Sequence, residues 1–159
     1  MRAVVQRVIS ARLETVDDEG VSTTQAEIGR GLVALVGIEA GDTGADGEWM
    51  ARKITNLRIF RDGTGRMNGS LLDEAAGGGT AGLLLVPNFT VAGRARRGRR
   101  PDFTSAMAPG GASAMFERLA ETIRAGAPAV HVETGVFGAH MHVGLVNDGP
   151  VTIWLDSRG

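Results

Sequence analysis

Residues 3–8 form a short apolar run, and residues 10–16 alternate, with Ala11, Leu13 and Thr15 on one face against Arg12, Glu14 and Val16 on the other. A period of two predicts strands over both stretches. The turn Asp17-Asp18-Glu19-Gly20 leads to a third strand over 24–28, which Gly29-Arg30-Gly31 ends. Residues 32–38 are almost wholly apolar, the pattern of a central strand buried on both faces. Residues 83–86 repeat that pattern and stop at Pro87.

Helical spacing replaces alternation twice. Thr43 and Asp46 are placed as an N-terminal capping pair, and Trp49, Met50, Ile54 and Leu57 follow as one apolar stripe. Trp49 could stack on a base, but at this spacing it reads as a core anchor. The second helix covers 112–125, with Met115, Phe116, Leu119 and Ile123 as its stripe and Pro128 just beyond its end. Residues 57–60 read as a strand, and Gly77-Gly78-Gly79 reads as a flexible linker, since it lacks the Lys-Ser/Thr of a phosphate-binding loop. Strands over 130–134 and 140–146 follow. The apolar runs 143–146 and 151–155 then flank the turn Asn147-Asp148-Gly149-Pro150, a hairpin-like reversal.

Together these elements predict one α+β domain over residues 1–159: a strongly curved or barrel-like, mostly antiparallel β-sheet covered by two main helices, without βα alternation. The chain's 159 residues suffice for a substantial core, and 24 glycines imply many turns. With no cysteine, disulfides, thiol nucleophiles and Cys zinc sites are excluded. No stretch has the length of a membrane span or the plan of a signal peptide, so a cytoplasmic protein without membrane partners is expected.

The net charge of −1 says nothing about nucleic acid, but its distribution does. Arg94, Arg96, Arg97, Arg99 and Arg100 crowd into a segment punctuated by Gly93, Gly98 and Pro101. Such a segment is either an ordinary solvated loop or a flexible arm for phosphates. His140 and His142 share a strand face, yet that strand reads as half-exposed, so neither a metal nor a cofactor is expected. No Gly-x-Ser-x-Gly elbow is present. Thr90, beside Phe89 at a strand end, is the most site-like hydroxyl, but no neighbouring base is evident for it.

Several segments resemble the D-aminoacyl-tRNA deacylases, in the family's order and over nearly the whole chain. They are Met1-Arg2-Ala3-Val4-Val5-Gln6-Arg7-Val8, the block at 51–60, Met67-Asn68-Gly69-Ser70-Leu71, Arg97-Gly98-Arg99-Arg100-Pro101, the stretch from Glu133 to Ala139, and Asn147-Asp148-Gly149-Pro150-Val151-Thr152. The resemblance implies a homodimer in which two motifs meet across the interface. One is Gly149-Pro150-Val151-Thr152, with a cis Gly-Pro bond, expected to bind substrate through its carbonyl oxygens. The other is usually Ser-Gln-Phe-Thr, where this chain has Pro87-Asn88-Phe89-Thr90. Phe89 and Thr90 match, while Pro87 removes a hydroxyl and an N–H, and Asn88 is one methylene shorter than Gln.

The implied reaction is hydrolysis of the ester joining a D-amino acid, or glycine, to the terminal ribose of tRNA. Asn88, Phe89 and Thr90 would lie at the reacting centre, with Arg94, Arg96, Arg97, Arg99 and Arg100 on the tRNA. The tRNA's own 2′-hydroxyl would help to activate water, backbone N–H groups would hold the oxyanion, and L-amino acids would clash with the Gly-Pro backbone. Two other readings remain: an RNA-binding module without catalysis, and a small-molecule esterase with Thr90 as nucleophile.

Overall fold

The computed structural model describes residues 1–96 and 98–159. Its elements run β1 (Arg2–Val16), β2 (Ser22–Ile28), β3 (Gly31–Gly37), α1 (Gly44–Asn56), β4 (Phe60–Arg61), β5 (Met67–Gly69), α2 (Leu71–Ala76), β6 (Gly82–Pro87), a short 3-10 helix (Phe89–Ala92), α3 (Pro109–Gly126), β7 (His131–Thr134) and β8 (His140–Asp156). No helix among the described residues is long and apolar enough to cross a membrane.

Long β1 is the organising strand. Its first half pairs with β3 and its second half with β2, both antiparallel, while β8 runs antiparallel along its other edge over nearly its whole length. Beyond β3 the sheet turns parallel, β3 to β6 to β7. Crossovers through α1 and α2, and then through α3, make those parallel pairs. The expectation of no βα alternation is therefore corrected, although most pairings remain antiparallel.

The continuous apolar runs now have a cause: the sheet carries a core on each face. Leu32, Ala34 and Val36 of β3, with Leu83 and Leu85 of β6, face the helices, where they meet Met50 and Ile54 of α1 and Phe116, Leu119 and Ile123 of α3. Val33, Leu84 and Val86 face the inside of the curl, with Val8, Leu13 and Ile28. A strand with water on neither face has no reason to alternate.

Asp46 caps α1 as its spacing with Thr43 predicts, accepting from the Thr43 backbone N–H and hydroxyl at 2.8 Å each. Ser157, near the chain end, donates to the same carboxylate at 2.7 Å, and that bond is the main cause of a pKa lowered to about 2. Three sequence readings change. Residues 57–60 are not one strand, since Leu57 caps α1 and β4 starts at Phe60. The triple glycine follows an unforeseen helix, α2, whose Ser70 and Asp73 cap each other as Thr43 and Asp46 do.

The third change matters most. The arms around Asn147-Asp148-Gly149-Pro150 do not reverse, because Leu145 pairs with Ala11 and Ile153 with Val5 of the same strand in the same sense. Between Asn147 and Thr152 the strand advances five residues while its partner goes only from Val8 to Gln6. The surplus is ejected as a loop from one continuous strand, as in a large bulge.

Gly31 and Gly82 face each other where β3 and β6 begin. A Cβ at Gly31 would sit 1.9 Å from the Gly82 carbonyl oxygen, and one at Gly82 would sit 2.7 Å from Ile28 Cβ, so β2 closes tightly over β6. Gly31→Ala should destabilise the fold by at least about 2 kcal/mol, read from the urea midpoint. An unchanged midpoint would contradict this packing.

Candidate active site

Where β3 and β6 end, the chain leaves the sheet and opens a cavity of about 490 Å³. Val36 and Ile38 come from the β3 end, and Pro87, Asn88 and Phe89 from the β6 end. Phe103, Met107, Phe116 and Phe137 complete the apolar walls. Phe89 is 59% exposed at the rim and meets Phe103 edge to face, with ring centroids 5.1 Å apart. Of these four, Phe116 is marked in sequence only as part of a helix stripe, and Phe103, Met107 and Phe137 not as site residues at all; they converge because α3 and the segments before α3 and before β8 fold over the strand ends.

Pro87 fits here for a simple reason. Asn88 N–H donates to Val36 O at 2.8 Å, so the neighbouring position faces the other way, beyond the last paired residues of β7. A missing N–H there removes no ladder bond. Asn88 then caps the 3-10 helix, with its Oδ1 accepting from the Thr90 backbone N–H at 3.1 Å and from the Thr90 hydroxyl. The hydroxyl of Thr90 thus donates to a neutral amide, and among the described residues it has no carboxylate, imidazole or amine as a partner.

The arginine segment is continuous with this rim. Residues 94 and 102 close it with a reciprocal pair of backbone bonds, each 2.8 Å, one residue before Phe103 enters the cavity wall. The Thr104 backbone N–H holds the Asp102 carboxyl below the usual carboxylate range, aided by the Thr104 hydroxyl and the Arg94 charge. Arg94, Arg96, Arg99 and Arg100 are exposed and form no ion pair among the described residues. Arg97 lies outside the described residues.

The Gly149-Pro150 loop is held from three sides. Asn147 grips Val151 at both backbone groups, Oδ1 accepting from its N–H at 2.8 Å and Nδ2 donating to its carbonyl at 3.1 Å. Arg7, only 2% exposed, donates to the Asp148 carbonyl at 3.0 Å, lies 3.1 Å from the Asp148 carboxylate, and also donates to the Ile59 carbonyl. Gln6 donates to the Thr152 hydroxyl at 3.1 Å. Gly149 and Pro150 themselves face solvent, and the peptide bond between them is cis.

This loop and the cavity do not meet within one chain. From β8 to β6 is three strand spacings, roughly 14 Å, and from the level of Arg7 to that of Ala3, which pairs with Val36, is roughly 13 Å along the strand. Accordingly, none of Gly149, Pro150, Val151 and Thr152 lines the cavity. Elsewhere, His140 and His142 pack edge to face at 5.3 Å, His131 lies 3.0 Å from Glu133, and no group of three potential ligands holds a metal-binding arrangement among the described residues.

The chain is similar to known proteins over nearly its whole length. A family model described as D-Tyr-tRNA(Tyr) deacylase covers residues 4–156. Proteins named D-aminoacyl-tRNA deacylase from Thermomicrobium roseum and Kosmotoga olearia are each 52% identical, across 99% of this chain and 94% and 98% of their own lengths. A solved structure titled c-Myc DNA Unwinding Element Binding Protein superposes with a TM-score of 0.86 at 37% identity, over 98% of both chains. Another, titled as a probable eukaryotic D-amino acid tRNA deacylase, shares the fold with a TM-score of 0.78 at 17% identity, over 97% of both chains. With that family model matched over residues 4–156 and relatives 52% identical across 99% of its length, the chain belongs to the D-Tyr-tRNA(Tyr) deacylase family.

Proposed function

We propose that this protein hydrolyses the ester linking a D-amino acid to the terminal ribose of tRNA, releasing free amino acid and tRNA, and that it acts likewise on glycine mischarged on tRNA-Ala. The observation that carries this reading is the adjacency of an apolar, phenylalanine-lined cavity to an arginine loop, with Asn88 and Thr90 at the junction. Every tRNA ends in an adenosine, whose base suits the cavity while the phosphates behind it suit unpaired guanidiniums.

The chemistry needs little from side chains. Water adds to the ester carbonyl carbon, the bond to the ribose oxygen breaks, and that oxygen leaves with a proton. Thr90 is a positioning residue here, because its hydroxyl is committed to an amide that cannot take its proton. The ribose 2′-hydroxyl, adjacent to the ester, is the group placed to assist the water, and positioning contributes much of the acceleration.

Selection by chirality falls to Gly149, Pro150, Val151 and Thr152 of a second copy. In one chain these residues are exposed or half-exposed and do not line the cavity. Among the described residues long β8 pairs only with β1, and Ile9, Val146 and Trp154 expose over half their surface, so the strands offer an apolar face for a homodimer. The loop's carbonyls would accept the α-ammonium, and its bare backbone would exclude an L side chain whatever its chemistry. Gly149 suits this role, since a Cβ there would lie 2.3 Å from Val151 N.

Hydrolysis of D-aminoacyl-tRNA but not of L-aminoacyl-tRNA, and not of a D-aminoacyl ester lacking RNA, is expected in a single substrate panel. Turnover of the RNA-free ester would favour the esterase reading, and binding without turnover a plain RNA-binding module. In the same panel Thr90→Ala should stay active while tRNA ending in 2′-deoxyadenosine is cleaved far more slowly; an acyl-Thr90 adduct seen by mass spectrometry would overturn this. Replacing Arg96, Arg99 and Arg100 together with Ala should raise KM for tRNA and flatten the salt dependence by roughly 2 to 3 counterions. An unchanged salt slope would leave that loop as plain surface.

A further inference from the structure

Asn88 is the only polar side chain among the described residues lining the cavity. Its two ends are not equivalent. A backbone N–H can only donate, so the atom facing Thr90 N–H must be Oδ1, and Nδ2 must point away from Thr90. Among the described residues Nδ2 donates to no protein acceptor, and no buried side-chain nitrogen or oxygen lacks a partner. Nδ2 is therefore an accessible donor at the rim of an apolar chamber. The short side chain makes this division possible: Asn is a strong N-cap and can turn back on the next residues while presenting its amide nitrogen outward.

We infer that Asn88 divides its amide between two tasks, with Oδ1 fixing Thr90 and Nδ2 donating to the ester carbonyl oxygen as that oxygen gains negative charge. The inference rests on the hydrolytic reading above. In the reaction the attacking water supplies the new C–O bond, the carbonyl electron pair moves onto the oxygen facing Nδ2, and its return expels the ribose oxygen, which takes the water's proton. No proton leaves Asn88. A donor held in place before the charge forms acts without having to reorganise as the reaction proceeds.

The test separates the cap from the donor. Asn88→Asp keeps an N-cap of equal quality but carries no N–H, whereas Asn88→Ala removes both functions. With D-aminoacyl-tRNA at pH 7, Asn88→Asp should hold the wild-type thermal midpoint while kcat falls on the order of 10²-fold with KM changed less than about twofold. If the midpoint of Asn88→Asp falls, Asn88→Ser, which caps through Oγ and has no amide, should show the same loss of kcat. Wild-type kcat in a folded Asn88→Asp would overturn the inference, because the cap alone would then suffice. A raised KM with unchanged kcat would also overturn it, because Nδ2 would then bind ester and transition state alike. A wild-type protein inactive on D-aminoacyl-tRNA would remove the hydrolytic reading itself, a failure visible without any variant.

Discussion

A buried guanidinium holds the exposed loop of this protein in place. Arg7 is 2% exposed, and its partners are the Asp148 carboxylate and carbonyl on one side and the Ile59 carbonyl on the other. Removing such partners from a buried cation costs several kcal/mol, so the ejected loop belongs to the folding of the sheet rather than decorating it. Asp148 also lies 3.6 Å from Arg30, which pairs with Glu74 on α2 at 2.7 Å. The Glu74 hydrogen bond raises the Arg30 pKa further above its ordinary value, so that cation stays charged throughout. The loop is thus tied to the central strand, the segment after α1, and α2 together, and Asn147 closes it from within.

The two-faced sheet explains why the functional groups sit where they do. Along β3 and β6 both faces are covered, one by helices and one by the curl itself, so open surface for a ligand there lies at the strand ends. The cavity takes the ends of β3 and β6, and the loop interrupts the edge of β8. The two differ in what they offer. One offers walls, a rim and guanidiniums; the other offers outward-facing backbone. Their separation within a chain is the physical ground for proposing that two copies complete each other.

Much of the scaffold was legible in the sequence because its causes are local. Doubly buried runs at 32–38 and 83–86, the Thr43 and Asp46 cap, and the stripe of Phe116, Leu119 and Ile123 each report on their own surroundings. The Ser70 and Asp73 pair carried the same signal, yet α2 spans only Leu71–Ala76, too short for a stripe to declare itself. The misread reversal at 147–150 has a different cause. Period two tells which face a residue takes but not the direction of the chain, and only pairing with β1 shows that both arms run the same way. Phe103, Met107 and Phe137 were invisible as site residues, because the cavity they line is made by elements distant in sequence. Asn88 was legible only as a departure from a family motif; its division between Thr90 and open space is a matter of geometry.

Subunit complementation tests the central claim, that each site is shared by two copies. Ala106→Trp fills the cavity of its own chain, and Gly149→Ala forces the loop against Val151. Each variant alone should be nearly inactive on D-aminoacyl-tRNA. In a dimer of one with the other, a sound cavity faces a sound loop at one of the two sites. Mixing equal amounts under exchange should therefore recover about a quarter of the wild-type rate, since half the dimers are mixed and each has one working site. Two variants that each fold and dimerise but recover no activity on mixing would place both motifs in one chain's site and contradict the account.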